Sequence, residues 1–123
     1  MQGLSDVWPF HELELRTPRL LLRPEQDCDI AGLIAAALAG IHDPEVMPFA
    51  NPWTRQEPDA LALFMARSVW RLRAELSPEK WNVSFAIFHE GEVVGRQGVA
   101  ATNFGELRTV STGSWLTRRL QGI

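Results

Sequence analysis

The last twelve residues hold the arrangement richest in chemistry: Thr112-Gly113-Ser114-Trp115-Leu116-Thr117-Arg118-Arg119-Leu120-Gln121-Gly122-Ile123. A strand ending near Leu116 would run here into a short turn with two arginines and a glycine. Many folds build an anion site this way. Backbone amides of the turn, together with the N-terminus of a following helix, hold a phosphate. Taken alone the signal is weak, because an Arg-Arg pair near a terminus is usually a solvated pair.

A second group sits in the loop from His42 to Trp53, which carries Pro44, Pro48 and Pro52. Loops of this length are often functional. Phe49, Asn51 and Trp53, with Phe64 from the helix that follows, have the size and stiffness of a pocket wall. They would serve equally well as a loop packed over the core. Other constellations are missing. His11, His42 and His89 share no metal-ligand spacing, and none stands beside Cys28, so no metal site is expected. Cys28 is read as structural. Asn82-Val83-Ser84 matches a glycosylation sequon but falls inside an expected strand. Gly95 and Gly98, also in a strand, mark a close backbone approach or a bulge rather than a phosphate loop.

These groups must be positioned by elements that the hydrophobic pattern predicts. Glu12 to Arg16 and Arg19 to Arg23 read as one strand broken at Pro18, which has no amide proton to give a ladder. Ile30, Leu33, Ile34, Ala37, Leu38 and Ile41 form one apolar helix face, with Asp27 or Asp29 at its start and Gly40 at its end. Thr54 and Glu57 have capping-box spacing for a second helix, whose apolar face is Leu61, Phe64, Met65, Val69, Leu72 and Leu76. Pro78 ends it. Three strands follow, Trp81 to His89, Glu92 to Thr102 and Leu107 to Leu116. They are joined by turns at Glu90-Gly91 and Asn103 to Glu106. The class is α/β with a mostly antiparallel sheet.

Composition bounds the answer further. At 123 residues and 46% hydrophobic content the chain is one domain or part of one. Twelve Lys and Arg against fifteen Asp and Glu give a net charge of -3, which argues against a dedicated nucleic-acid binder. A single cysteine permits no internal disulfide, and a reducing, cytoplasmic location fits that best. The longest apolar stretch, Ile30 to Ile41, is too short for a membrane span.

At these residues the chain resembles the N-terminal portion of a GNAT-superfamily acetyltransferase, in the branch that includes ribosomal-protein N-terminal acetyltransferases. The resemblance rests on Leu15-Arg16-Thr17-Pro18-Arg19-Leu20-Leu21-Leu22-Arg23-Pro24 and on the strand-helix-helix-strand-strand-strand order. Its most specific part is Gly113-Ser114-Trp115-Leu116 followed by Arg119-Leu120-Gln121-Gly122-Ile123. The superfamily's pyrophosphate motif is Gln/Arg-x-x-Gly-x-Gly/Ala. Arg119 and Gly122 match it, and Ile123 fills the next variable position.

The resemblance implies direct acetyl transfer from acetyl-CoA to a primary amine, a protein N-terminus or a small amine, without a metal. Trp115, Leu116, Thr117, Arg119, Gln121, Gly122 and Ile123 would bind the donor. The Leu116 amide would stabilise the oxyanion. Several relatives carry a Glu two residues before the strand's glycine. Ser111 stands there, able to position a water but not to replace a carboxylate base. The resemblance also implies a GNAT-like mixed, mostly antiparallel sheet with two N-terminal helices, truncated after the fourth strand. Residues 1–123 would then be the N-terminal portion of one acetyltransferase domain, inactive alone. Without the remainder, Val94 or Val110 would lose cover, and the chain would associate as a homodimer. A non-catalytic half-domain that assembles with a partner chain is the competing expectation.

Overall fold

The structure is a computed structural model and describes residues 3–122. A short helix α1 (Leu4–Val7) leads to strands β1 (Leu15–Arg16) and β2 (Leu21–Pro24). Helices α2 (Ile30–Leu38) and α3 (Pro58–Ala74) follow, then β3 (Lys80–His89) and β4 (Glu92–Thr102). A single helical turn, α4 (Phe104–Leu107), and β5 (Ser111–Leu116) complete the order.

The strands form one sheet in the order β1-β2-β3-β4-β5, and every pairing is antiparallel. Among the described residues there are thus five strands, not the four expected. The opening segment divides because Pro18 interrupts it. Thr17 N donates to Leu20 O at 2.9 Å, and the Thr17 hydroxyl accepts from Leu20 N at 3.0 Å. A tight turn is therefore closed where one broken strand was expected. The last strand is also shorter than Leu107 to Leu116. Asn103 and Arg108 take left-handed conformations on either side of α4, so residues 103–110 leave the sheet and β5 starts at Ser111.

Glycine in β4 has a geometric cause. A Cβ on Gly95 would lie 2.2 Å from the Trp115 carbonyl oxygen, so the backbones of β4 and β5 approach too closely for any side chain there. The β3–β4 register shifts at the same place. Ile87 faces Gly95 and Phe88 faces Val93, which leaves Val94 as the extra residue of a bulge. Both alternatives read for this glycine pair thus hold at Gly95. A Cβ on Gly32 of α2 would lie 3.0 Å from the Val93 side chain, so the glycine lets that helix ride close on the sheet.

α2 and α3 pack on the sheet through Ile30, Leu33, Ala37, Leu61, Met65 and Val69, with Trp115 of β5 in the same cluster. Leu33, Met65 and Val94 are completely buried, each contributing on the order of 1.5–3 kcal/mol of transfer free energy. Val94 is therefore covered, contrary to expectation, beside a cavity that it lines with Leu20, Leu116 and Leu120; Val110, outside β5, is 45% exposed. Leu38 also leaves the expected apolar face and is 46% exposed in the last turn of α2. No helix among the described residues is long and apolar enough to cross a membrane.

Candidate active site

β5 is an outer strand of the sheet among the described residues. Thr117 N donates to Val94 O at 2.8 Å, so Val94 and Thr117 are a hydrogen-bonded pair. An antiparallel ladder alternates bonded and non-bonded pairs. Gly95–Leu116 and Gln97–Ser114 are therefore non-bonded pairs, and the amides of Leu116 and Ser114 point away from β4 to the open edge. Leu116 was singled out from sequence. Ser114 was not, because the direction of an amide follows from register, which the residue type does not reveal.

Beyond β5 the chain makes one 3-10 turn, Arg118–Leu120. It is fastened to the end of α2. Arg118 N donates to Gly40 O at 3.0 Å, and the buried Thr117 hydroxyl donates to the same carbonyl at 3.4 Å. Gly40 adopts φ +103, the left-handed ending its position called for. The Gln121 side chain adds two bonds, Nε2 donating to Leu116 O at 2.8 Å and to Ile41 O. Its own amide donates to Arg118 O at 3.1 Å. Gly122 has φ +75, and no atom lies within 4 Å of where a Cβ would stand. Here the bare backbone can approach a ligand. Arg119 pairs with Glu92 at 2.9 Å, both side chains more than half exposed. Such a pair contributes little, so an arriving anion can take the guanidinium from it. Ile123 lies outside the described residues.

On the helix side of β5 is a cavity of about 240 Å³ walled by Trp53, Phe64 and Trp115, with Gly98 and Gly113 among its lining residues. Trp53 stacks on Phe64 with centroids 5.9 Å apart and lies 5.9 Å from Trp115. Phe49 backs Trp53 at 5.2 Å. Of the four residues expected to wall a pocket, Trp53 and Phe64 line it and Phe49 buttresses it. Asn51 is exposed, and its carbonyl accepts from Trp53 N at 2.8 Å. His42 joins this cluster unexpectedly. Its Nδ1 donates to Asp43 O at 2.7 Å, its Nε2 lies 2.7 Å from the Thr54 hydroxyl oxygen, and its ring meets Phe49 edge-on. Thr54 therefore does not cap α3, whose N-cap is Glu57.

A buried ion pair sits beside the cavity. Arg96 Nη2 donates to Glu25 Oε1 at 2.8 Å, Nε to Ser84 Oγ at 2.7 Å and Nη1 to Ser68 Oγ at 2.8 Å. One guanidinium thus joins the end of β2, β3, β4 and α3. Sequence alone placed Arg96 only as a residue between two strand glycines.

Ser111 stands at the other end of β5. At about 3.4 Å per residue it is roughly 10 Å along the strand from Ser114 and about 17 Å from Leu116. One bridging water does not span that, so Ser111 is not placed to hold a water at a thioester beside either amide. Instead it lines a separate cavity of about 530 Å³ with Lys80, Asn82 and Ala100. Among the described residues no group of three or more His, Cys, Asp or Glu side chains is arranged to hold a metal.

Comparison with solved structures finds the same fold in two coenzyme A complexes. RimJ of Mycobacterium smegmatis, in complex with CoA-disulfide, superposes with a TM-score of 0.65 at 23% identity, over 89% of this chain and 53% of that one. RimL, a ribosomal L7/L12 α-N-protein acetyltransferase in complex with coenzyme A, gives 0.64 at 14% identity, over 89% of this chain and 59% of that one. The chain thus spans between half and three-fifths of the length of these proteins. Residues 19–123 match the family model described as acetyltransferase (GNAT) domain, a stretch that takes in β2 to β5 and the turn beyond. The chain belongs to the GNAT acetyltransferase family.

Proposed function

We propose that the protein transfers the acetyl group of acetyl-CoA to a primary amine. One observation supports this most: β5 carries outward amides at Ser114 and Leu116 on its edge, an aromatic cavity against Trp115 on its face, and an open glycine turn past its end. A thioester with a long arm and a pyrophosphate needs those three features in that order.

The pantetheine arm lies along the β5 edge beside Trp115, Leu116 and Thr117. Its pyrophosphate meets Arg119 and the backbone around Gln121, Gly122 and Ile123. The amine enters through the cavity of Trp53, Phe64 and Trp115. Its nitrogen attacks the thioester carbonyl carbon and forms the C–N bond, and the electron pair moves onto the carbonyl oxygen. The Leu116 amide, or that of Ser114 nearer the cavity, donates to this oxyanion. Collapse breaks the C–S bond, the amine's proton ends on the departing sulfur, and the products are an amide and the CoA thiol. The protein's main contribution is to hold amine and thioester in reach of each other.

Two copies of the chain associate in this reading. Leu63 and Trp70, two turns apart on α3, are each about half exposed and offer an apolar face for it. The activity is tested by following free CoA thiol and acetylated amine together. Amine-dependent release of thiol, with one acetyl group gained by the amine, is expected. Thiol release without an acetylated amine contradicts the reading.

A further inference from the structure

The loop from His42 to Trp53 supplies Trp53 to the aromatic cavity and Phe49 behind it. Most of its hydrogen bonds have a short reach. Asp43 accepts from the amides of Glu45 and Val46, Asn51 O from Trp53 N, Pro52 O from Arg55 N, and Trp53 O from the Gln56 side chain. Each of these closes a turn of two or three residues. Among the described residues, the hydrogen bond that joins the two ends of the loop is the one between His42 Nε2 and the Thr54 hydroxyl, twelve residues apart. A carbonyl can only accept, so the contact of Nδ1 with Asp43 O puts a hydrogen on Nδ1. Nε2 then bonds Thr54 whichever of the two donates, and the ring is held at both nitrogens.

The residues just before His42 are the anchor of the turn past β5. Gly40 O accepts from Arg118 N and from the Thr117 hydroxyl, and Ile41 O accepts from the Gln121 side chain. Ile41 itself is buried. Three bonds from that turn thus end on the two residues that precede the loop. Pro44, Pro48 and Pro52 each fix one backbone dihedral, which leaves the loop few soft angles of its own. The position of the turn is therefore passed to His42, from His42 to Thr54, and so to Trp53 beside it. A second link, the ring contact of Trp53 with Trp115 at 5.9 Å, does not involve Thr54 and can be separated from the first by substitution.

We infer that His42 is a positioning residue for acetyl transfer: its bond to Thr54 sets the aromatic wall of the acceptor cavity in register with the turn that receives the donor. This rests on the acetyl-transfer reading. His42 touches neither substrate in it. It fixes how far Trp53 stands from the thioester on β5, a distance on which the attack depends steeply. Acetyl-CoA seated at the turn is consequently felt at Trp53. Spatial succession alone does not establish such a link, so the bond itself must be removed and restored.

The test is titration of the ¹⁵N-labelled protein with acetyl-CoA, read at the Leu116 amide and at the indole N–H of Trp53. Both are expected to shift, with one midpoint. Thr54→Val keeps the shape and deletes the hydroxyl. It should leave the Leu116 response and the midpoint within about twofold and cut the Trp53 shift to less than half. Thr54→Ser, which keeps the hydroxyl, should restore it. His42→Phe keeps a ring against Phe49 but has no ring nitrogen, and should repeat the effect of Thr54→Val. The double variant should lose no more than either single one, as two ends of one bond do. Val46→Ala, at an exposed site on the same loop, should change neither signal. A Trp53 shift that survives in full in both Thr54→Val and His42→Phe overturns the inference and leaves the direct contact with Trp115 as the link. So does a Thr54→Ser variant that behaves like Thr54→Val, or a Trp53 signal that stays still in the unsubstituted protein while Leu116 moves. In those cases the acetyl-transfer reading stands. A Leu116 amide that acetyl-CoA does not move overturns that reading, and the inference with it.

Discussion

The side-chain amide of Gln121 donates at 2.8 Å to the backbone carbonyl of Leu116, five residues earlier. Its second N–H goes to Ile41 O at the far end of α2. Both hydrogens of the group are thus spent inside the protein. The turn past β5 is consequently held against the strand whose outward amide it follows, and against the segment that leaves α2.

Gln121→Glu replaces those donors with carboxylate oxygens facing two carbonyls. Two bonds of about 0.5–1.5 kcal/mol each are lost. Urea unfolding should show a stability loss of that order. Acetyl-CoA affinity should fall at least tenfold in protein that remains folded, because the turn no longer sits square to β5. A folded variant with unchanged affinity would mean that the clamp serves stability alone.

Trp53 touches Phe49, Phe64 and Trp115 with its ring. Trp53→Ala should therefore raise the acceptor KM several-fold while that for acetyl-CoA stays within about twofold. If the two constants rise together, or neither moves, Trp53 is a core residue and the cavity is not the amine's entry.

Much of this was legible in the chain. Period-two alternation from Val83 to Ile87 gave β3, and the 3.6 period from Ile30 to Ile41 gave α2, because burial on one face is written in residue type. Gly40 was legible because a left-handed ending admits few other residues, and Gly122 only through the motif that Arg119 and Gly122 match. What escaped depends on partners distant in sequence. His42 met Thr54 and Phe49, Arg96 met Glu25 from 71 residues away, and the tight turn at Thr17 made two strands of one. The outward amide of Ser114 is a matter of register and has no side-chain signature.

Arg96 and Glu25 keep only 13% and 4% of their side-chain surface in solvent. Removing one partner strands the other charge, so Glu25→Gln or Arg96→Met should each cost about 3–5 kcal/mol by urea unfolding. The double variant Glu25→Leu with Arg96→Met should recover a large part. A loss equal to the sum of the single losses would show that the two residues do not act as a pair.

Asp27 accepts from Trp70 Nε1 at 3.1 Å and from Arg73 Nη1 at 3.0 Å, and these bonds hold its carboxyl below the usual aspartate value. A lowered folded value means a contribution present above the ordinary value and lost as pH falls through the folded one. The stability gap between the protein and Asp27→Asn should accordingly be full near neutrality. It should narrow below about pH 3.8 and vanish in stronger acid. A gap that widens toward acid would contradict this assignment.

Acetyl-CoA is expected to lie along the edge of β5 with its pyrophosphate at Gly122. A titration of the ¹⁵N-labelled protein with acetyl-CoA, read at Ser114, Leu116 and Gly122, tests this most directly. All three amides should shift together. S-acetylpantetheine, which has no pyrophosphate, should move Ser114 and Leu116 but not Gly122, and Gly122→Val should weaken acetyl-CoA at least tenfold, about 1.4 kcal/mol. Acetyl-CoA that leaves these amides unmoved at millimolar concentration, or that moves only residues away from β5 and its turn, would contradict the account.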